Sequence, residues 1–329
     1  MTKFVISGYI GFNNFGDEAI ASVLTKYLKK INAEKIVLLS SNPEKTSKIH
    51  NVESINYLKF IKPIFETDIL ISGGGSLLQD ITSLKSLIYY LLVIFTALLF
   101  HKKVIIFAQG FSKFRTKIGE FLTKIILKHC HKIYLRDLKS QEILKSLKIN
   151  SIVIADPVFD IEIPPNINHS GIGIQLRNFE NLSDEFLNLL ADEISKNFKN
   201  EKINLYSLQD SLDISILIKF SNILKQKNID STIHNNLNII DCINELTKLE
   251  YLIGMRFHAN LIAAKARVKV LGINYDEKVK NLSTNIGFPI INLTDNFINN
   301  KFDNFINLDV SKYNIPIFIF PDIIEEDKQ

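Results

Sequence analysis

Short apolar runs recur along the chain, each ending in glycine or a polar pair and each followed by a stretch with helical spacing. Residues 4–7 lead into GYIGFNNFGDEAI and then into the helical AIASVLTKYLKKI. Residues 35–39 form the next run, residues 68–72 end in Gly73-Gly74-Gly75, residues 104–108 in Gln109-Gly110, and residues 132–135 in Arg136-Asp137. Strands that are apolar throughout, rather than alternating, belong to parallel sheets covered on both faces. Their alternation with helices predicts a doubly wound α/β architecture.

The pattern then stops and restarts. Residues 152–155 give way to Asp156-Pro157 and IEIPPNINHS, whose prolines and polar residues read as a linker. Beyond it, residues 171–176 form a run ending at Arg177-Asn178, and Ser183 is placed to cap a helix reaching Phe198. Residues 203–208 end at Gln209-Asp210, a helix starts at Ser211, and residues 231–234 make a short strand. Residues 238–249 are an amphipathic helix, residues 268–273 a strand ending at Asn274-Tyr275-Asp276, and residues 288–291 the last strand. The expected organisation is two Rossmann-like doubly wound domains, 1–163 and 164–300, facing a cleft, with a tail over 301–329 that can cross back to the first domain. A length of 329 residues allows both domains a core of their own.

Composition narrows the function classes. The net charge of +4 is spread along the chain, and no basic run is interleaved with aromatics, so nucleic acid is not an expected partner. The two cysteines, Cys130 and Cys242, lie far apart and outside any metal-ligand spacing, which suits a reducing compartment. No metal site is expected. The opening MTKFVISGYI enters a strand pattern at once, and no signal peptide is read there. Residues 87–100, LIYYLLVIFTALLF, are uncharged and apolar but shorter than the ~20 residues of a spanning helix. A core helix is the expectation, and contact with a membrane surface the alternative.

Three places combine permissive backbone with chemistry. Residues 251–264, YLIGMRFHANLIAA, put Arg256 and His258 at the junction of an apolar run ending at Gly254 and a following helix. A cation and an imidazole there can hold an anion and move a proton beside it, because ligands of open α/β sheets sit at strand carboxyl ends near helix N-termini. The structural alternative is an arginine paired with a buried acid and a histidine satisfied by a carbonyl. In the first loop Gly8, Gly11 and Gly16 allow tight turns, while Asn13, Asn14, Asp17 and Glu18 offer partners for hydroxyls; Asp17 also suits a helix cap. After the third run, Gly73, Gly74 and Gly75 precede Gln79 and Asp80, which face the same crevice if the strands are neighbours.

Taken together, GYIGFNNFGDEAI, SGGGSLLQD followed by ITS, AQG at Gln109, YLRDLKS, ADPVF and GMRFHANLIAA occur in order from Gly8 to about Asp276. This series resembles the polysaccharide pyruvyl transferase family, and within it the CsaB-like branch. The resemblance implies a two-domain fold like that of GT-B glycosyltransferases. It also implies transfer of a pyruvyl group from phosphoenolpyruvate to a sugar as a cyclic ketal, with phosphate released and no cofactor beyond this co-substrate. The acceptor it implies is a cell-envelope glycan or its lipid-linked precursor, which places the protein in the cytoplasm or at the inner membrane face.

Phosphoenolpyruvate carries a phosphate and a carboxylate, and arginine forks match both. Arg136, Arg177 and Arg256 are the candidates, with Gly73, Gly74 and Gly75 as permissive backbone for the same donor. His258 is the candidate acid/base. Asn13, Asn14, Asp17, Glu18, Gln79, Asp80 and Gln109 are the candidates for the acceptor. Two departures stand out. The family commonly has a tryptophan shortly after the arginine that opens the second domain, whereas this chain has Arg177-Asn178-Phe179 and no tryptophan; and Ala266-Arg267-Val268-Lys269-Val270 replaces Gly-Val-Pro-Val. The competing readings are a glycosyltransferase using a nucleotide sugar on the same architecture, and a non-catalytic glycan-binding protein.

Overall fold

The computed structural model describes residues 2–324 apart from 82, 166 and 297. The chain divides into two compact units, residues 1–161 together with 317–329, and residues 162–316.

The first unit alternates β1 (Lys3–Ile10), α1 (Phe15–Lys30), β2 (Lys35–Ser40), α2 (Pro43–His50), β3 (Glu53–Asn56), α3 (Ile61–Glu66) and β4 (Ile69–Ser72). It continues with α4 (Leu84–Leu99), β5 (Lys103–Gln109), α5 (Lys117–Leu127), β6 (Lys132–Leu135), α6 (Leu138–Ser146) and β7 (Ile152–Val153). The sheet runs in the order β3-β2-β1-β4-β5-β6-β7, and every pairing among its described strands is parallel. The central strands are buried on both faces, as their unbroken apolar runs require. One face carries a core that includes Leu70, Leu87, Leu91, Ile94 and Ile106. The order reverses between β1 and β4, so the loops after these two strands flank the topological switch point, where such sheets bind ligands.

The second unit runs β8 (Ile172–Gln175), α7 (Asp184–Asn197), β9 (Ile203–Tyr206), α8 (Asp210–Gln226), β10 (Ser231–His234) and α9 (Ile239–Thr247). Then follow β11 (Tyr251–Gly254), α10 (Phe257–Lys265), β12 (Lys269–Asn274), α11 (Glu277–Ile286), β13 (Ile290–Asn292) and α12 (Asn299–Ile306). Its sheet has the order β10-β9-β8-β11-β12-β13 and is likewise parallel. Its switch point lies between β8 and β11, so Arg177 and the Arg256/His258 junction flank one position.

Two expectations are corrected. The second unit does not end at residue 300: α12 buries Phe302 and Phe305 in that unit's core, and the Tyr313 hydroxyl accepts from Val270 N at 3.0 Å and donates to Val268 O at 3.2 Å. Only from residue 317 does the chain belong to the first unit, where Phe320 stacks on Tyr27 at 3.3 Å and on Phe107 at 5.1 Å between ring centres. Second, α4 is a core helix on one side only. Ile88, Leu92, Phe95 and Leu99 are solvent-facing. Among the described residues no helix is long and apolar enough to cross a membrane.

Candidate functional site

The first unit's strand ends are sewn together by the residues that the sequence marked as contacts. Gln109 is fully buried at the end of β5; its Nε2 donates to Gly73 O and its Oε1 accepts from Leu77 N at 3.1 Å. Gly73 N donates to Ser7 O at 2.7 Å, and Gly110 N to Gly75 O at 2.8 Å. The glycine loop is therefore fixed by β1 and β5 rather than left open to a ligand. Asp80 accepts from Arg115 N at 2.7 Å, Thr116 N at 2.7 Å and Thr116 Oγ1 at 2.6 Å. Burial by itself would raise its pKa, but the Thr116 hydroxyl and the two amides outweigh that and hold it below the ordinary carboxylate value. Glu18, also buried, accepts from Gly11 N at 2.7 Å and from His50 Nε2 at 2.9 Å. Asn14 accepts from Gly16 N at 3.1 Å and caps α1. Gln109, Asp80 and Glu18 are thus buried and bonded within the loops they shape, while half-buried Asn14 spends its Oδ1 on the helix cap.

Asp17 lies over Gly75, whose φ of +99° only glycine adopts freely and whose added Cβ would sit 2.6 Å from Asp17 Oδ1. The Asp17 carboxylate thus lies directly beside the backbone of the glycine triplet. Asp17, half-buried Gln79 and exposed Asn13, itself at φ 56° with Oδ1 accepting from Lys45 Nζ at 2.6 Å, are the polar groups of this edge. Arg136 donates from Nη2 to Ser76 Oγ at 3.0 Å and from Nη1 to Asp156 Oδ2 at 3.4 Å, and its fork is engaged within the unit.

In the second unit the junction is anchored by a network the sequence did not reveal. Arg256 Nε lies 2.9 and 3.2 Å from Asp213 Oδ2 and Oδ1, and Nη2 lies 2.6 Å from Oδ1 and 3.2 Å from Gln209 Oε1. Asp213 is fully buried in the first turn of α8 and also accepts from Leu208 N and Gln209 N, both at 3.0 Å. Gln175 ties in the backbone: its Oε1 accepts from Arg256 N at 2.7 Å, and its carbonyl accepts from Met255 N at 2.9 Å. The structural alternative for Arg256 is the one observed, a buried arginine bound to an acid. Its side chain orients the start of α10 rather than presenting an open fork.

Arg177 differs. Its guanidinium has no carboxylate partner among the described residues. Nη1 lies 3.4 Å from the Tyr275 hydroxyl, the guanidinium carbon sits 5.3 Å from that ring's centre, and buried Nε has no hydrogen-bond partner. Its amide points to Met255 Sδ at 3.4 Å, which places it beside the junction. Lys278 also approaches Tyr275, 5.5 Å from the ring centre, with Asp276 Oδ2 at 3.4 Å. Burial would raise the Tyr275 pKa, yet the Lys278 and Arg177 charges more than reverse this and hold it below the ordinary phenol value. Phe179 packs edge-on to Tyr275 at 5.2 Å, so an aromatic stands near Arg177 although no tryptophan does. No side chain caps α10, and His258 sits half-buried as its second residue, edge-on to Phe257 at 5.0 Å. Arg177, Tyr275, Lys278 and Asp276 form one cluster, and His258 starts the neighbouring helix α10 at the same switch point.

Two parallel, doubly wound units define the class of GT-B-like folds. Solved structures agree: S. aureus MnaA with UDP (TM-score 0.66, 12% identity, covering 95% of this chain and 90% of that one) and a Neisseria meningitidis UDP-GlcNAc 2-epimerase bound to UDP-GlcNAc (0.63, 11%, 94% and 93%). A glycosyltransferase of Rickettsia africae is similar too (0.62, 15%, 95% and 91%). At these identities the likeness shows the fold. Comparison with curated proteins finds no match. The model of the polysaccharide pyruvyl transferase family matches residues 14–277, and the chain belongs to that family.

Proposed function

We propose that the chain transfers the pyruvyl group of phosphoenolpyruvate to a sugar of a cell-envelope polysaccharide or its lipid-linked precursor, as the CsaB-like branch would. The observation that most supports this reading is Arg177, a guanidinium without a counter-ion among the described residues, which shares Tyr275 with Lys278 near the start of a helix with no side-chain cap. Those are the groups a donor with a phosphate and a carboxylate calls for. Lys278 and Tyr275 therefore join Arg177 as donor-binding residues, while Arg256 acts as a positioning residue through Asp213. His258 is assigned the acid/base role. One sugar hydroxyl adds to the enol carbon C2 as the methylene C3 takes a proton; a second hydroxyl of the same sugar then displaces phosphate from C2, and its own proton leaves to base. Asn13, Asp17 and Gln79 are the groups of the first unit assigned to acceptor hydroxyls. No cofactor beyond the donor enters these steps, and the cytoplasm, where phosphoenolpyruvate is made, is the compartment they suit.

Phosphate release from phosphoenolpyruvate by the full chain, measured against a panel of acceptor glycans, tests the reading. Acceptor-dependent release should fall about 100-fold or more in His258→Ala, and comparably in Arg177→Ala and Lys278→Ala. Calorimetry separates the competing readings. Binding of a UDP-sugar without binding of phosphoenolpyruvate would point to a glycosyltransferase, and glycan binding without turnover to a binding protein.

A further inference from the structure

The outer faces of α4 and α5 carry apolar side chains where a surface helix ordinarily carries polar ones. On α4 they recur as Ile88, Leu92, Phe95 and Leu99, a single stripe by helical spacing; on α5, which packs beside α4, they are Ile118, Phe121 and Ile125. All seven are between 44% and 62% exposed. Phe65 of α3, on the other flank of α4, extends the patch at 63% exposed, with Lys102 set 5.8 Å from its ring centre. Exposed apolar side chains gathered on adjacent packed helices in this way mark an interaction site.

The charge around it is one-sided. From Ile81 to Lys132 the chain has nine lysines and arginines and a single acidic residue, Glu120. Lys85 opens α4, Lys102 lies just beyond its end, and Lys117 and Lys124 lie on α5. Of the acids flanking this stretch, Asp80 is buried and bonded to Arg115 N, Thr116 N and Thr116 Oγ1, and Glu66 faces Lys62 at 3.8 Å. A second copy docked on this face would bring the two basic rims together, whereas an anionic surface complements them. At about 1.5 Å per residue the 16-residue α4 is ~24 Å long, short of the ~30 Å hydrocarbon layer, and it is packed along the sheet rather than free to insert end-on.

We propose that the α4/α5 face is a docking surface for an anionic lipid bilayer, its apolar stripes entering the headgroup boundary and its lysines meeting the lipid phosphates. The argument rests on these helices and not on the pyruvyl transfer reading. The chain has no tryptophan, so Phe121→Trp supplies a single reporter. With phosphatidylcholine vesicles containing phosphatidylglycerol, its emission should shift to the blue and the full chain should co-sediment, more weakly at high than at low ionic strength. Leu92→Glu with Phe121→Glu should weaken sedimentation at least about tenfold, while Ile218→Glu on α8, an equally exposed apolar position of the other unit, should leave it unchanged. Because all these positions are solvent-facing, the far-UV circular dichroism of each variant should match that of the parent chain. Absence of vesicle binding overturns the proposal. So does binding that is equal on pure phosphatidylcholine, or a concentration-dependent dimer abolished by Phe121→Glu with no vesicle binding.

Discussion

Asp213 reaches Arg256 across 43 residues of sequence, and the pair is buried, so removing one partner strands the other charge in the interior. Breaking such a pair costs about 3–5 kcal/mol. Asp213→Ala should therefore lower stability to urea by about that amount, and Asp213→Ala with Arg256→Met should recover much of it while activity stays lost. Recovery of activity in the double variant would sink the positioning role. Asp80 offers a titration test. Its carboxyl is held below the ordinary value in the folded state, so the stability it provides is complete above the unfolded pKa near 3.8 and is lost as pH falls below that. Asp80→Asn should lower stability by about 2–3 kcal/mol at neutral pH and flatten the acid limb of the stability profile. Tyr275 should ionise below the ordinary phenol value, seen as the phenolate absorbance missing in Tyr275→Phe, and above its parent value in Lys278→Ala. Of these residues, sequence motifs exposed His258, Arg256 and Arg177 because each follows a strand-like run. Asp213, Gln175 and Lys278 lay in unremarkable helix or strand contexts, and only the folded sheet brings them to the same end.

At the level of elements, what could be read was what hydrophobicity and glycine encode. The buried strands β4, β5 and β6 announce themselves as apolar runs, whereas the run ending at Gly254 reads equally as a buried strand or a last helical turn and is the strand β11. Edge strand β3, ESIN, has only one apolar residue and was not legible, since it borrows its conformation from pairing with β2. The outer stripe of α4 escaped for the opposite reason: a helix apolar on all sides gives no signal of which side is covered. Gly254 shows how an element end is built. A Cβ there would stand 2.1 Å from Asn260 Oδ1, and Asn260 Nδ2 holds the Gly254 carbonyl at 2.9 Å, fastening β11 to α10. Gly254→Ala should cost about 2–3 kcal/mol and disturb the junction. A melting temperature within a degree of the parent chain would contradict that.

On the scale of the whole molecule, the linker and the restart of the strand pattern showed two units, but the return of the chain to the first was legible only as a short aromatic tail. Phe318 and Ile323 are buried there, Phe320 stacks against Tyr27 and Phe107, and the Asp322 carbonyl accepts from the Tyr134 hydroxyl at 3.2 Å. At about 1.5–3 kcal/mol per large apolar side chain, truncation after Pro316 should destabilise the first unit by ~5 kcal/mol. Hydrogen exchange should quicken in β5, β6 and α1 and stay unchanged in β8 to β13.

The same closure has a consequence for how the protein is made. The strip that completes the first unit leaves the ribosome only after the entire second unit has been synthesised. At the usual pace of translation this leaves Tyr27 and Phe107 waiting on the order of ten seconds for their partners. The first unit is completed only after the second, and a nascent chain stalled before residue 317 should be captured by chaperones at that uncovered aromatic surface.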